Sequence, residues 1–221
     1  MSKAQKRIIA SGLLVASIIL GFSAPNLPGS MPAEAQLSSW FRRRPKVILG
    51  GRSGICPIAP GLLEKDLTVV SDQPLFVWTG KGKATKLTVR DYNTKEEVWS
   101  VNLKPDTQQI AYGGDSPLQP DTVYEWQVLG EKLIDTAQWN MVAVMSKAER
   151  NRHLAALKAI EQNSKNQSVE AIVDAKVAYL LDDDRRLWSD ALQVLSEVKS
   201  PSPEFVQNRK DFFASLCTEA R

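Results

Sequence analysis

The stretch that decides the fold is residues 118–128, which read Leu-Gln-Pro-Asp-Thr-Val-Tyr-Glu-Trp-Gln-Val. A turn that contains proline leads into strict alternation, in which Tyr124, Trp126 and Val128 face one way and the residues between them face the other. This two-residue period is typical of a β-strand with one buried face. We therefore predict that this stretch is a strand of an antiparallel β-sandwich.

Other segments on both sides of this strand combine β-branched or aromatic residues and are separated by turn residues. They are residues 67–70, 74–79, 86–92, 98–101, 108–112 and 138–145. Short strands with a turn at about every 8–12 residues are typical of a sandwich. The pattern predicts an immunoglobulin-like antiparallel β-sandwich domain over residues 64–145.

After residue 145 the apolar residues recur at three-four spacing, which indicates helices. Ser146 and Ser168 precede the first two helices as N-caps, and Asp184 is the predicted cap of the third. Residues 202–204, Ser-Pro-Glu, give the fourth helix a cap, a proline in its first turn and an acid at its positive end. The predicted fold class is therefore α+β, with the sandwich followed by a helical domain of about four helices over residues 146–221.

The first 35 residues have the pattern of a secretory signal peptide. Basic residues precede an apolar segment, residues 8–24, and residues 33–35, Ala-Glu-Ala, match a cleavage site. We expect the mature chain to begin at Gln36 and to act outside the cytoplasm, in the periplasm or as a secreted protein. The alternative is an uncleaved N-terminal helix that anchors the protein in a membrane.

The charge of the chain argues against one class of partner. The formal net charge is +3, but three of the basic residues and only one acidic residue lie in the signal segment. The mature chain is therefore nearly neutral and has no strong field that would attract phosphate. We expect no nucleic-acid partner.

Residues 36–63 form a basic, glycine-rich stretch without a sustained period, and we predict a mobile, solvated arm. In this arm Trp40 and Phe41 precede three arginines, a combination that could contact anionic lipid or nucleic acid. The glycine-rich bend at residues 50–54 lacks the Gly-Lys-Ser/Thr ending of a phosphate-binding loop. Phosphate binding at this bend is therefore not expected.

The two cysteines, Cys56 and Cys217, lie near the two ends of the mature chain. In an oxidising compartment they can form a disulfide that ties the C-terminal tail to the segment before the β domain. Two buried free thiols would look the same in the sequence. Both alternatives stay open at this point.

Four tryptophans fall one on each of four predicted strands, and filling of the core is their expected role. They are Trp78, Trp99, Trp126 and Trp139. The alternative is a binding surface on the face of a sheet formed by Trp78, Trp99 and Trp126, which requires exposed rings. Such a surface would be an aromatic platform for a ligand.

No residue pattern matches a catalytic, cofactor-binding or metal-binding centre, so we predict no site of these kinds and no cofactor. His153, the only histidine, is expected at an exposed helix position, with a catalytic base as the alternative. Residues 182–184, three aspartates, lack the spacing of a calcium loop. The paired acids of a glycosidase cannot be assigned from Glu96 and Glu97, because such acids come from separate strands.

Several motifs stand in a characteristic order along the chain: residues 50–54 followed by Cys56, residues 74–78, residues 118–126, and residues 187–192, Leu-Trp-Ser-Asp-Ala-Leu. Together they resemble the exported cyanobacterial family called domain of unknown function 928. The likeness covers about residues 50–216, and the chain departs from the family pattern at residues 79–81. The resemblance implies export and implies no activity or catalytic residues.

Part of the helical segment is similar to a known repeat. Residues 175–180 and 188–192 resemble one helix pair of the tetratricopeptide type. A solenoid needs at least three repeats. We therefore expect an isolated helical hairpin, with a peptide-binding groove as the alternative.

These observations favour an exported, non-enzymatic binding or adaptor protein of the bacterial cell envelope. It would recognise another envelope protein or an envelope component through a sheet edge or the helical face. The first alternative is an envelope hydrolase that uses His153 or a carboxylate pair. The second is a membrane-anchored structural protein that keeps its N-terminal helix.

Overall fold

The computed structural model of the chain describes residues 37, 39–42, 49–51, 54–64 and 66–219. These residues form four α-helices and two main β-sheets, of three and five strands, so the architecture is α+β. At this level the predicted fold class is confirmed. The signal segment, its cleavage site and Gln36 lie outside the described residues, as do two of the arginines that follow Phe41.

The elements follow the predicted order of strands and then helices, except that a short strand, which was not predicted, follows the last helix. In chain order the strands are β1 (Leu49–Gly51), β2 (Ile55–Ala59), β3 (Thr68–Val69), β4 (Leu75–Gly80), β5 (Ala84–Asp91), β6 (Glu97–Asn102), β7 (Gln109–Ala111), β8 (Val123–Gly130), β9 (Asn140–Val144) and β10 (Cys217–Glu219). The helices are α1 (Lys147–Asn163), α2 (Val169–Leu180), α3 (Trp188–Ser196) and α4 (Pro203–Leu216).

The five-stranded sheet is built around β8, the strand predicted from the alternating stretch. Its spatial order is β3-β9-β8-β5-β6. β8 pairs antiparallel with β5 and β9, so that Trp126 lies opposite Val89 on one side and Asn140 on the other. The short β3 runs parallel to β9. Tyr124, Trp126 and Val128 are all buried, as the two-residue period predicts.

The three-stranded sheet contains a strand that the sequence interpretation missed. Its order is β2-β4-β7, with antiparallel pairing throughout. β2 lies inside the predicted arm, and Pro57 in its middle argues against a strand in a sequence pattern. The pairing tolerates this proline because β2 is an edge strand whose register shifts between Pro57 and Ala59.

The two sheets contribute side chains to one hydrophobic core. Phe76 and Trp78 of β4 cluster there with Leu87 of β5 and Trp126 of β8. The rings of Phe76 and Trp126 meet edge to face, with centroids 5.3 Å apart. The indole N–H of Trp126 donates to the carbonyl of Pro60 at 3.1 Å, which satisfies its polar atom inside the core.

Three of the four predicted helix caps are formed in the structure. The hydroxyls of Ser146, Ser168 and Ser202 each accept a backbone N–H three residues further on, so these three caps are confirmed. The cap predicted at Asp184 is wrong. α3 begins after Leu187, without a side-chain cap, and Asp184 lies in the preceding turn.

A second core joins the helices to the N-terminal stretch and to the three-stranded sheet. Buried residues of α2, α3 and α4 cluster with Leu37, Trp40, Phe41, Ile58 and Val77. The ring of Phe41 packs 5.2 Å from that of Phe205 in α4. The prediction of a solvated arm is therefore wrong for these residues, and Trp40 and Phe41 are not exposed for lipid or nucleic acid.

Cys56 of β2 and Cys217 at the end of α4 form a disulfide across 161 positions of sequence. Beside it, β1 pairs in parallel with β10. No helix in the described ranges has the length and apolar character needed to cross a membrane. The described residues all belong to one compact unit, residues 31–221, and the domain boundary expected after residue 145 stays a prediction.

Candidate functional site

The start of α3 is fastened to the segment before β4 by a buried carboxylate. The side chain of Asp190 is 7% exposed. Its Oδ2 accepts the backbone N–H of Val70 and its Oδ1 accepts that of Ser71, both at 2.9 Å. Because both oxygens have backbone donors, the buried charge is compensated by hydrogen bonds.

A second buried acid lies next to the first. Glu64, also 7% exposed, accepts the backbone N–H of Ser189 through Oε1. The Ser189 hydroxyl in turn accepts the N–H of Gly61 at 3.3 Å. The other oxygen, Oε2, has no hydrogen-bond partner among the described residues. Glu64 is thus the less well compensated of the two acids.

Burial shifts the proton affinity of both acids in the same direction. Desolvation, with a smaller contribution from the charge of Asp190, raises the pKa of Glu64 to about 7, although hydrogen bonds from Ser189 oppose the shift. Desolvation also raises the pKa of Asp190 to about 6, although the N–H groups of Val70 and Ser71 favour its charged form. The pKa values of both acids therefore lie close to neutral pH.

Arg150 of α1 ties the first helix to the same segment. Its Nη2 lies 2.6 Å from Oδ2 of Asp72, and its Nε donates to the carbonyl of Val70 at 2.9 Å. Its positive charge also lowers the pKa of Asp190, a smaller effect than burial. Residues 70–72 are therefore held between α1 and α3.

These contacts shape a groove of about 440 Å³ between α1, α2, α3 and residues 70–72, which we call the helical groove. Its apolar lining residues are Val70, Leu154, Leu157, Leu180 and Val194. Its charged lining residues are Asp72, Arg150, Lys158, Glu161, Lys176, Asp190 and Glu197.

The charges of the helical groove are largely paired with one another. Arg150 pairs with Asp72, and Lys176 pairs with Glu161. Leu154 is 39% exposed, so part of this apolar side chain is open to a ligand in the helical groove. An apolar floor with a paired, charged rim suits an apolar side chain of a ligand that carries charges on either side of it.

The predicted aromatic surface is not formed. Trp78 and Trp126 are 2% and 0% exposed, and Trp99 is half-buried between Phe76 and Tyr112. A platform needs exposed ring faces, so this alternative is wrong for these tryptophans, and core filling is the role they have. Trp139 lies one residue before β9 rather than in a strand, with the guanidinium of Arg90 3.6 Å above its ring.

His153 is half-buried against the neighbouring helix, so the expected exposed position is wrong. Its Nδ1 lies 3.0 Å from the hydroxyl of Tyr179 in α2. Burial lowers the pKa of His153, and the positive charges of Arg185 and Arg152 lower it further. The histidine is therefore neutral at pH 7 and is paired with a phenol in this arrangement.

The aspartate run at residues 182–184 and the acidic pair at residues 96–97 each contribute a carboxylate to an ion pair. Asp182 pairs with Arg185 at 3.3 Å within the turn between α2 and α3. Glu97 lies 3.6 Å from Lys86 of the adjacent strand. In the part of the chain that the structure describes, no cluster of three or more His, Cys, Asp or Glu residues is placed to hold a metal ion.

Sequence reasoning missed the two buried acids, although a peptide-binding groove on the helical segment was its alternative interpretation. The sequence did contain a sign of this site, because Ser189 and Asp190 belong to the motif at residues 187–192. Their importance comes from contacts with Gly61 and Val70, more than 100 positions earlier in the chain. No periodicity or spacing within the helices reveals such a contact.

The comparisons with known proteins add no template for this site. No family model matches the sequence, and no curated protein and no solved structure is significantly similar to it.

Proposed function

We propose that this chain is an exported, non-enzymatic binding protein of the bacterial cell envelope, and that it holds a segment of a partner protein in the helical groove. The observation that carries the proposal is the groove itself, about 440 Å³ in volume, with an apolar floor and a charged rim. This volume lies within the range of about 300–1,000 Å³ typical of binding sites.

The chemistry of the helical groove favours a peptide over a small anion or cation. Its cations and anions pair with each other, as Arg150 does with Asp72 and Lys176 with Glu161. The lining charges nearly balance, so a simple ion finds little excess of opposite charge to select it. An apolar anchor side chain can be buried on Leu154 and Leu157, while polar groups beside it can bond to the rim.

The walls of the helical groove are held in place before any ligand binds. Asp190 bonds to the backbone of Val70 and Ser71, and Arg150 bonds to Val70 and Asp72. A site that is already ordered loses little conformational entropy on binding, so more of the contact energy is available for affinity.

Two further features support a role outside the cytoplasm. Disulfides persist in oxidising compartments, and Cys56 and Cys217 are bonded. The N-terminal sequence has the pattern of a signal peptide, and the resemblance to the exported family points the same way. We also infer that the two sheets form an immunoglobulin-like sandwich, which is supported by their shared core and mainly antiparallel pairing.

The test is site-directed photo-crosslinking in the native organism. A photoreactive amino acid replaces Leu154, which lines the helical groove, or Val169, which is 64% exposed at the start of α2 and is not among the lining residues. We expect one envelope protein to be crosslinked from position 154 and not from position 169.

The crosslinked peptide of the partner should carry an apolar residue at the site of attachment. The proposal is wrong if no protein is crosslinked from position 154. It is equally wrong if the same protein is crosslinked to the same extent from position 169.

A further inference from the structure

The two most exposed large apolar side chains in the described part of the chain are neighbours. Leu133 is 91% exposed and Ile134 is 74% exposed. Both belong to a short 3₁₀ turn, Leu133–Asp135, in the loop that joins β8 to β9. We call these two residues the apolar tip. Single exposed apolar residues are ordinary, but an adjacent pair that water surrounds this fully indicates an interaction surface.

The turn that carries the apolar tip is held by its own hydrogen bonds. The N–H of Asp135 donates to the carbonyl of Lys132 at 2.9 Å, and the N–H of Thr136 donates to the carbonyl of Leu133 at 3.1 Å. The hydroxyl of Thr136 accepts the N–H of Gly130 at 3.1 Å, which closes the base of the loop. Because the turn is already ordered, little conformational entropy is lost when the tip binds.

Glycines around Asp135 allow this acid to pack inward while the apolar tip projects outward. A Cβ at Gly130 would lie 2.6 Å from the Cβ of Asp135, and a Cβ at Gly82 would lie 3.0 Å from it. The carboxylate of Asp135 lies against Gly54, where a Cβ would overlap it. The turn therefore presents its two apolar side chains to the outside and keeps its own acid half-buried.

The charged residues near the apolar tip are mainly lysines. In the described residues of the β4–β5 turn, the β6–β7 loop and the β8–β9 loop, four lysines are exposed, namely Lys81, Lys83, Lys104 and Lys132. The exposed acids of these loops are Asp106 and Glu131, and Glu131 lies 3.6 Å from Lys83. Basic side chains thus outnumber the exposed acids at this end of the sheets, so an anionic surface would attract it.

The apolar tip and the helical groove lie at opposite ends of β8. The loop of the tip follows Gly130, the last residue of β8. At the other end Val123 lies opposite Ala143, which also pairs with Thr68 of β3. β3 leads directly into residues 70–72, which line the helical groove. The 8 residues of β8 span about 25 Å, so both surfaces can be occupied at once.

We propose that the apolar tip inserts into the surface of a lipid bilayer that contains anionic lipids. Leu133 and Ile134 enter the boundary between head groups and acyl chains, and the lysines around them stay among the head-group phosphates. The contact is peripheral, because only two side chains enter the bilayer. It holds the protein at a membrane while the helical groove remains open to its partner.

The form of the apolar tip favours a bilayer over a protein. A stable protein interface takes about 800 Å² from each partner, far more than two side chains on a turn provide. The same argument applies to a second copy of the chain. A bilayer needs no matching concave surface, since its fluid acyl chains close around an apolar group that enters them.

The test uses the disulfide-bonded chain with a fluorescent amino acid whose emission shifts to the blue in apolar surroundings. This amino acid replaces Leu133 or, as a control, Val169, an apolar residue of α2 that is 64% exposed. Vesicles of mixed phosphatidylglycerol and phosphatidylcholine, or of phosphatidylcholine alone, are then added. We expect a saturable blue shift at position 133 with the anionic vesicles and no shift at position 169. Because the probe reports its own surroundings, a membrane contact elsewhere on the chain does not imitate this result.

Substitutions beside the probe at position 133 test the two parts of the proposal separately. Ile134→Ser should weaken vesicle binding by at least about fivefold, because it removes half of the apolar tip. Lys132→Gln should weaken binding to anionic vesicles by about fivefold, which is the effect of one lysine near such a surface. Val169→Ser and Lys165→Gln, an exposed lysine after α1, are the matched controls and should change neither value. All four positions are exposed or lie at a helix start, so the fold should tolerate these changes.

The proposal is overturned if anionic vesicles cause no shift at position 133, or if position 169 shifts equally. It is also overturned if vesicles of phosphatidylcholine alone bind as tightly, since the lysines would then select no charge. A shift that appears without vesicles as the protein concentration rises would show that a second copy covers the tip. A shift with lipid-free envelope proteins and none with vesicles would show that the tip binds a protein.

Discussion

At the scale of single residues, Glu64 and Asp190 show how differently two neighbouring buried acids can be supported. Asp190 has a backbone donor for each oxygen, whereas Oε2 of Glu64 has none among the described residues. An uncompensated carboxylate in a buried site is costly when charged. Glu64 therefore favours the protonated form, with its pKa raised to about 7.

We predict that Glu64→Gln makes the protein more stable at pH 8 and leaves it nearly unchanged at pH 4.5. The folded pKa of Glu64 is raised from 4.5 to about 7, so between these values the folded state holds more protons than the unfolded state. The free energy of unfolding then falls as pH rises through this window, by about 3 kcal/mol in total. Glutamine carries no charge at either pH, so the free energy of unfolding of the variant does not fall in this way.

The measurement is urea unfolding of both proteins at the two pH values. The raised pKa of Asp190 contributes to both proteins and largely cancels in the difference between them. A difference in the free energy of unfolding that is the same at pH 4.5 and at pH 8 would contradict the account of Glu64.

At the scale of elements, the sequence was most informative where the signal is local. The alternation around Trp126 predicted β8, and three serines predicted three helix starts. The Asp184 cap failed because its turn is organised by Asp182, whose Oδ1 accepts the N–H of Asp184. The turn continues to Leu187, so neither aspartate reaches the start of α3, which has no side-chain cap.

Substitution of the caps should separate the confirmed cap from the incorrect one. Ser202→Ala removes the acceptor of the Phe205 N–H at the start of α4 and should cost about 1 kcal/mol of stability. Asp184→Ala removes an exposed side chain that caps no helix and should change stability by less than about 0.5 kcal/mol. Thermal unfolding followed by circular dichroism measures both, and equal effects would show that the helix start is wrongly placed.

Trp126 is part of the core, whereas Trp139 lies nearer the surface. A further pair of substitutions can distinguish these two roles. Trp126→Ala empties a fully buried position and should cost about 3–5 kcal/mol. Trp139→Ala removes a half-buried ring under Arg90 and should cost about 1 kcal/mol or less. Urea unfolding measures both values. A small effect at Trp126 would contradict its place at the centre of the sheet core.

At the scale of the whole molecule, the features that the sequence did not predict share one cause. The helical groove takes its lining from three helices and from residues 70–72, and the core under it includes Phe41 from the N-terminal stretch. Such contacts join positions far apart in the chain, and no local period encodes them. The same limit applied to Cys56 and Cys217, whose pairing the sequence left open.

The disulfide should be a major contributor to global stability. A bond that closes a loop across 161 positions lowers the entropy of the unfolded chain and stabilises the fold by up to about 5 kcal/mol. We expect the double variant Cys56→Ala with Cys217→Ala to unfold at a clearly lower urea concentration than the oxidised protein. Addition of a reductant should lower the midpoint of the wild type and leave that of the variant unchanged. A reductant that lowers the midpoint of both proteins equally would show that the bond is not the cause.

The central claim is that the helical groove holds a segment of a partner protein. The most direct measurement is the affinity of the purified chain for the partner identified by crosslinking, compared between Leu154→Asp and the matched surface change Val169→Asp. We predict that Leu154→Asp weakens binding by at least about tenfold, since it places a charge against a buried apolar anchor, and that Val169→Asp leaves binding unchanged. Equal affinities for the two variants would contradict the claim.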